Sequence, residues 1–300
     1  MYTFPETFST ATAAEAIAFL KSPNDLARRF ADLVAARNFL SHLVLAGRYE
    51  MVGGALVYLP DEAIEASDSP EQVKPGGNYP TITLNPDQVA IVEAMKKGFA
   101  TEVTDEAVGR FKMDAIERAL AMLANKQVSE FDTRAMSLVA STITETSASG
   151  AWTTGKAIVD GVAKAKAKVK SHKLGYTPDV VVLTDTQWGA IEGPLTEVLP
   201  REAGNPVTNG FPNFMGLTWL ASSDLPAGWV PTVIDTANLG GIGHEDIPSP
   251  EYVSVAVGNS TVELARFRRE NDSTKLQTRK ADVPVVRNPK AGAEITGTGL

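Results

Sequence analysis

The feature that most constrains the fold of this chain is a long helical pattern near its middle. It opens with the sequence ATEVTDEAVGRFKMDAIERAL, where Thr104 is a good N-cap and Asp105 and Glu106 follow in the first turn. A helix dipole favours negative charge at that end. Neither glycine nor proline occurs between residues 110 and 149. The pattern predicts a helix that runs to about Ala140.

Only one face of this predicted helix is apolar, so that face must lie on a core. Its members are separated mostly by three or four positions, and Gln127 fills one gap in the series. They are Met113, Ile116, Leu120, Leu123, Phe131, Ala135 and Leu138. About 30 helical residues make a rod on the order of 45 Å long. A compact monomer seldom needs such a rod, and the series is too short and irregular for a coiled coil.

Composition excludes several classes of protein. The chain has 300 residues, a net charge of −8 and no cysteine, which removes disulfides, thiol nucleophiles and thiolate metal sites. The negative charge argues against a surface devoted to nucleic acid. No apolar run is long enough to cross a membrane, and the N-terminus lacks the basic start of a signal peptide.

The regions before the long helix read as two extensions. Residues 1–47 are predicted to form an N-terminal arm with one short helix, for which Asn24 is the N-cap. Two strand-like runs, 49–60 and 78–86, then flank a polar linker. Its charged residues are Asp61, Glu62, Glu65, Asp68, Glu71 and the single Lys74. The pattern predicts a long two-stranded arm with an acidic tip, which needs a surface to lie on.

The region after the long helix reads as an α/β unit. A polar hinge at 141–152 precedes a second amphipathic helix, whose lysines favour a solvated face over a nucleic-acid patch. A buried strand at 180–183 runs into a helix at 185–191, and a later hairpin turns at Gly258-Asn259. The last stretch is strand-like and basic.

Sites for chemistry are sparse. Of the three histidines, His42 lies in an apolar run, where packing is favoured over ligation, and His172 ends the lysine-rich helix. His244 stands beside Glu245 and Asp246 in a glycine-rich loop, but no HxH or HxxxH accompanies it. Neither a phosphate-binding loop nor a nucleophile elbow is present. We therefore expect neither an enzyme nor a cofactor.

The order of the elements resembles that of a tailed-bacteriophage major capsid protein with the Hong Kong 97 fold. Residues 82–133 resemble the family's passage from an extended loop into its spine helix. Three central segments resemble its axial domain, and the C-terminal segment resembles the return into its peripheral domain. These segments are 177–193, 216–228, 229–242 and 262–296.

The resemblance implies an α+β subunit with four parts. They are an N-terminal arm (1–47), an extended β-arm or E-loop (48–89), a peripheral domain with the spine helix (90–150 and 265–300) and an axial domain (151–264). Acidic residues of the arm tip and basic residues elsewhere are candidate assembly contacts. This set comprises Arg28, Arg29, Glu62, Glu65, Asp68, Glu71, Arg266, Arg268 and Arg269.

The resemblance also implies partners. Subunits would form hexamers and pentamers of an icosahedral head around double-stranded DNA, in the virion and assembled in the host cytoplasm. A separate scaffolding protein, a portal and decoration proteins are further candidate partners, and DNA contact is expected to be weak and non-specific.

Some relatives crosslink a lysine to an asparagine, so a Lys74–Asn288 bond is a hypothesis. An encapsulin-type nanocompartment shell and a soluble enzyme using the His244 loop are the alternatives.

Overall fold

The computed structural model describes residues 11–37, 40–58, 89–196, 207–208, 211–257 and 260–300. The helices in these ranges are α1 (Ala13–Lys21), α2 (Pro23–Ala35), α3 (Leu40–Val44), α4 (Asp105–Phe111), α5 (Met113–Thr142), α6 (Gly155–Lys170), α7 (Asp185–Thr196) and α8 (Thr236–Leu239). The strands are β1 (Gly47–Glu50), β2 (Ala55–Tyr58), β3 (Ala90–Glu93), β4 (Lys96–Thr104), β5 (Thr146–Ala148), β6 (Val180–Thr184), β7 (Val207–Thr208), β8 (Phe211–Phe214), β9 (Leu217–Ser222), β10 (Thr232–Ile234), β11 (Gly240–His244), β12 (Tyr252–Val257), β13 (Ser260–Arg268), β14 (Ser273–Val286) and β15 (Gly292–Thr296).

The predicted long helix is present but is broken once near its start. Thr104 caps α4 as expected, because its Oγ1 accepts a hydrogen bond from the Ala107 amide at 3.3 Å. Lys112 then adopts φ 52° and ψ −127°, which interrupts the helix. The spine helix α5 follows and runs for 30 residues to Thr142. Neither glycine nor proline marks the break, so the sequence pattern could not show it.

The N-terminal arm differs from its prediction. Three helices, rather than one, occupy the described part of residues 1–47. Asn24 is not an N-cap: Ser22 holds that position and Pro23 is the first residue of α2. Proline suits this position because its fixed φ is helical and its missing N–H would have no partner there. One face of α2 is apolar and lies in the core, since Leu26, Phe30 and Val34 are fully buried.

The strands form two large sheets and one separate pair. The six-stranded sheet has the order β1-β11-β14-β13-β12, and β4 also pairs with β14. The long β14 holds this sheet together, because its residues 273–281 pair with β4 and its residues 282–286 pair with β11. The seven-stranded sheet has the order β5-β15-β10-β6-β9-β8-β7, and β2 pairs with β3.

The spine helix is long because it joins two apolar cores. Its first half, including Ile116 and Leu123, packs with α1, α2, α4 and the strands β4, β12, β13 and β14. Its second half, including Phe131 and Val139, packs with α3 and with residues of the seven-stranded sheet. A third core lies between that sheet and the helices α6 and α7.

The boundaries between the two large sheets along the chain do not coincide with the boundaries of the predicted domains. The strands β12 and β13 belong to the sheet that contains β4, although most of their residues precede 265. Conversely, β15 lies between β5 and β10 in the other sheet. The chain therefore crosses between the two sheets more than once, and the domain boundaries remain a prediction.

Candidate assembly surfaces

The base of the predicted β-arm is a two-stranded ribbon. The strands β2 and β3 are antiparallel, and Tyr58 stands opposite Ala90 where the chain leaves the ribbon and returns to it. The predicted tip residues Glu62, Glu65, Asp68 and Glu71, and with them Lys74, lie outside the described residues. Their assembly roles stay predictions.

One face of this ribbon is covered and the other is bare. Leu56, Tyr58 and Val92 pack against a small core made by Met51 and two valines of β14. On the opposite face, Val57 is 62% exposed and its cross-strand neighbour Ile91 is 65% exposed. An apolar pair on a two-stranded ribbon is a natural contact for another chain. This pair is the strongest candidate assembly surface among the described residues.

Three of the predicted basic contacts form ion pairs within the chain. The Arg29 guanidinium on α2 donates two hydrogen bonds to Glu117 of the spine helix, at 2.8 and 3.1 Å. Arg268 donates two to Asp105 at the start of α4, both at 2.6 Å. Arg269 lies 3.7 Å from the carboxylate of Glu102.

The other two basic contacts are placed differently. Arg28 is exposed on α2, and Arg266 is partly buried on β13. Of the five predicted arginines, Arg28 is the exposed one that forms no ion pair within the described residues. The intersubunit role of all five remains a prediction.

The proposed crosslinking asparagine lies inside the subunit. Asn288 is 6% exposed, and its Nδ2 donates a hydrogen bond to the carbonyl oxygen of Asn238 at 2.9 Å. A lysine from another chain could reach its carboxamide only after a local rearrangement. The Lys74–Asn288 bond remains a hypothesis, and it requires such a rearrangement.

His244 belongs to a network of charged groups. Its Nδ1 lies 2.5 Å from Asp282 and its Nε2 lies 3.1 Å from Asp246. The other oxygen of Asp282 is 2.8 Å from the buried ammonium of Lys280. Hydrogen bonding to Asp282, opposed by partial burial, raises the pKa of His244. Both ring nitrogens are thus engaged with carboxylates.

The same network shifts the pKa of the buried carboxyl group of Asp282. Burial alone would raise the pKa of Asp282, but the charge of Lys280 and the hydrogen bond with His244 together lower it. No group of three or more His, Cys, Asp or Glu side chains that could hold a metal ion occurs in the described ranges. A cavity of about 270 Å³ opens beside the network and is lined in part by His42, Arg48 and Tyr49.

His42 is a packed side chain. It lies on α3, and its ring meets that of Phe131 edge-on, with 5.9 Å between the ring centroids. Burial lowers its pKa to about 3, and the positive charges of Lys280 and Arg48 act in the same direction. The imidazole is therefore neutral at physiological pH, in agreement with the predicted packing role. The third histidine, His172, lies just after α6 and 3.8 Å from Glu145.

The role of Asp132, which is to hold α3 against the spine helix, was not predicted from the sequence. Its carboxylate accepts hydrogen bonds from the amides of Leu40 and Ser41, each at 3.0 Å, and from the Ser41 hydroxyl. Burial raises its pKa to about 6, although these three donors act to lower it. A carboxylate at a buried helical position was the available signal, but its partners lie some 90 positions away.

No helix in the described ranges is long and apolar enough to cross a membrane.

A family model shows which family the chain belongs to, and solved structures show its fold. A family model described as "Phage capsid protein" matches residues 87–295. None of the curated proteins matches the sequence. Among solved structures, a virus-like particle from Pyrococcus furiosus is 11% identical with a TM-score of 0.56, covering 90% of this chain and 97% of its own.

Two further solved structures are similar to the same extent. The structure titled "Microbacterium phage Oxtober96" is 13% identical with a TM-score of 0.55, covering 87% of this chain and 91% of its own. The holo-SrpI encapsulin of Synechococcus elongatus PCC 7942 is 10% identical with a TM-score of 0.54, covering 84% of each chain. At these identities the likeness establishes the fold, which is the Hong Kong 97-like fold.

Proposed function

We propose that this chain, which belongs to the phage capsid protein family, is the major capsid protein of a tailed phage and builds the icosahedral head as hexamers and pentamers. The observation that carries the proposal is the family match over residues 87–295, which spans the spine helix and every strand of the two large sheets but β1, apart from the last residue of β15. The Hong Kong 97-like fold is in keeping with it. The subunit is a structural shell protein, and we propose no catalytic role for it.

The bare ribbon face supports assembly between copies of the chain. Val57 and Ile91 present apolar side chains to solvent at the base of the arm. In a shell, the arm of one subunit would lie across its neighbour and cover this pair. Acidic tip residues would then meet basic groups such as Arg28, and assembly would weaken as salt is added. Each exposed pair contributes only about 0–1 kcal/mol, but the contact repeats over the whole shell.

The proposal includes partners that a phage head requires. The enclosed genome is double-stranded DNA held by weak, non-specific contact, and a separate scaffolding protein and a portal complete the assembly. Decoration proteins are further candidates, and assembly takes place in the host cytoplasm. The division into arm, E-loop, peripheral domain and axial domain is retained as part of this proposal.

An encapsulin-type nanocompartment shell is the second candidate function. The similarity to the SrpI encapsulin, with a TM-score of 0.54, nearly equals the similarity to the phage structure, at 0.55. Fold alone therefore does not separate a genome container from a protein container. The family match favours the phage head.

Electron microscopy of the purified protein tests the shell itself. We expect closed icosahedral particles with fivefold capsomers at the vertices and sixfold capsomers between them. A protein that stays monomeric under every assembly condition would contradict the proposal. Particles isolated from their native source separate the two candidates: nuclease-protected double-stranded DNA indicates a phage head, whereas an enclosed protein cargo without such DNA indicates an encapsulin.

A further inference from the structure

A small polar cavity lies between the spine helix α5 and the strands β4 and β14. Its volume, measured as the space that the centre of a water molecule can occupy, is about 10 Å³. Gln127 and Arg134 line it from the helix, and Phe131 lies between them on the same helical face. Thr278 of β14 lines it from the sheet, where it pairs with Phe99 of β4.

Three of the lining side chains have polar atoms without a partner in the described part of the chain. Gln127 is 5% exposed, and both its Nε2 and its Oε1 lack a hydrogen bond. Thr278 is fully buried, and its Oγ1 also lacks one. The same holds for Nε and Nη1 of Arg134. Buried polar groups in folded proteins are nearly always hydrogen-bonded, so three such side chains around one cavity indicate a bound ligand.

The charges around the cavity define the chemistry of that ligand. Lys97 forms an ion pair with Glu130, and Lys280 pairs with Asp282 at 2.8 Å. The free groups can both donate and accept: the glutamine amide offers one atom of each kind, and the hydroxyl can do either. The open volume holds one water-sized group and is too small for a phosphate or a carboxylate.

We infer that this cavity binds a single ordered water molecule, which bridges Gln127 of the spine helix to Thr278 of the sheet and accepts a hydrogen bond from Arg134. The site lies where the spine helix passes from one apolar core to the next, since Val128 belongs to the first core and Phe131 to the second. It accounts for the glutamine that interrupts the apolar face of the helix. The water thus joins the helix and the sheet close to the junction of these two cores.

A structure of the full-length protein at a resolution that shows ordered solvent tests the inference. We expect a spherical peak within about 2.7–3.2 Å of both the Gln127 amide and the Thr278 hydroxyl. The peak should persist in T278S, which keeps the hydroxyl, and be lost in T278V, which replaces it with a methyl group. Q127M, which removes the amide and keeps the length of the side chain, should lose the peak as well.

Two results would overturn the inference. One is a direct hydrogen bond between Gln127 and Thr278 with no peak in the wild-type protein. The other is an anomalous signal at the site after chloride is replaced by bromide, which would identify the ligand as a halide held by Arg134. The wild-type protein and T278S decide between these results even if T278V or Q127M fails to fold.

Discussion

At the scale of single residues, two buried titratable groups oppose each other in their effect on stability. The folded pKa of Asp132 is about 6 against an ordinary 3.8, so folding takes up a proton there and stability falls as pH rises through that window. The folded pKa of His42 is about 3 against an ordinary 6.5, so stability is lost as pH falls through that window. Over the range that the windows share, the two effects nearly cancel.

Separate replacement of these two groups should uncover each effect. In D132N, the free energy of unfolding should rise more steeply with pH between 3.8 and about 6 than in the wild type. In H42Q it should rise less steeply between about 3 and 6.5. Each change in slope is about 1.4 kcal/mol per pH unit. Urea unfolding of the unassembled subunit across this range measures both slopes, and parallel curves for all three proteins would contradict the assignment.

The network around His244 yields a second prediction at this scale. Asp282 is 2% exposed in its side chain and balances the buried Lys280, so D282N should lower the free energy of unfolding by about 3–5 kcal/mol. Asp246 also contacts His244 but is 85% exposed, so the matched variant D246N should change it by no more than about 0.5 kcal/mol. Equal effects in chemical denaturation would show that the network is not the stabilising unit.

At the scale of elements, local signals in the sequence predicted several of the helices and strands, whereas long-range contacts gave no local signal. The Thr104 cap and the buried strand at 180–183 follow from neighbouring residues and were correct. The hydrogen bonds from α3 to Asp132 and from Arg29 to Glu117 join residues about 90 positions apart. No periodicity in the sequence encodes such pairs, so the partners of these residues could not be predicted from it.

The break between α4 and α5 gives a prediction for an element boundary. Lys112 has a positive φ of 52°, a conformation that strains any residue with a Cβ, so K112G should raise the free energy of unfolding by about 1 kcal/mol. The same substitution at Lys126, exposed in the middle of the spine helix, should lower it by about 1 kcal/mol. Thermal and urea unfolding of both variants check the sign, and a loss of stability in K112G would show that the break is not strained.

At the scale of the whole molecule, the spine helix and the arm have different roles. The helix ties two apolar cores together within the subunit, which is why its buried face continues along its length. The arm base instead leaves an apolar pair uncovered, a feature that stabilises nothing within the chain. Damage to the helix should therefore affect folding, whereas damage to the arm should affect assembly.

The arm provides the test of that division. Deletion of residues 60–77 should leave a folded subunit, because under the proposed function this segment contacts a neighbouring subunit rather than the core of its own. I91E should behave similarly, since it places a charge on the bare face of the ribbon and leaves the covered face intact. For both variants we expect the circular dichroism and unfolding curve of the wild type, with far fewer closed shells in electron micrographs. L56E, which puts the same charge on the covered face, is the matched control and should destabilise the subunit itself. If the deletion unfolded the isolated subunit, the arm would belong to the core, and if I91E assembled normally, the bare ribbon face would not be a contact between subunits.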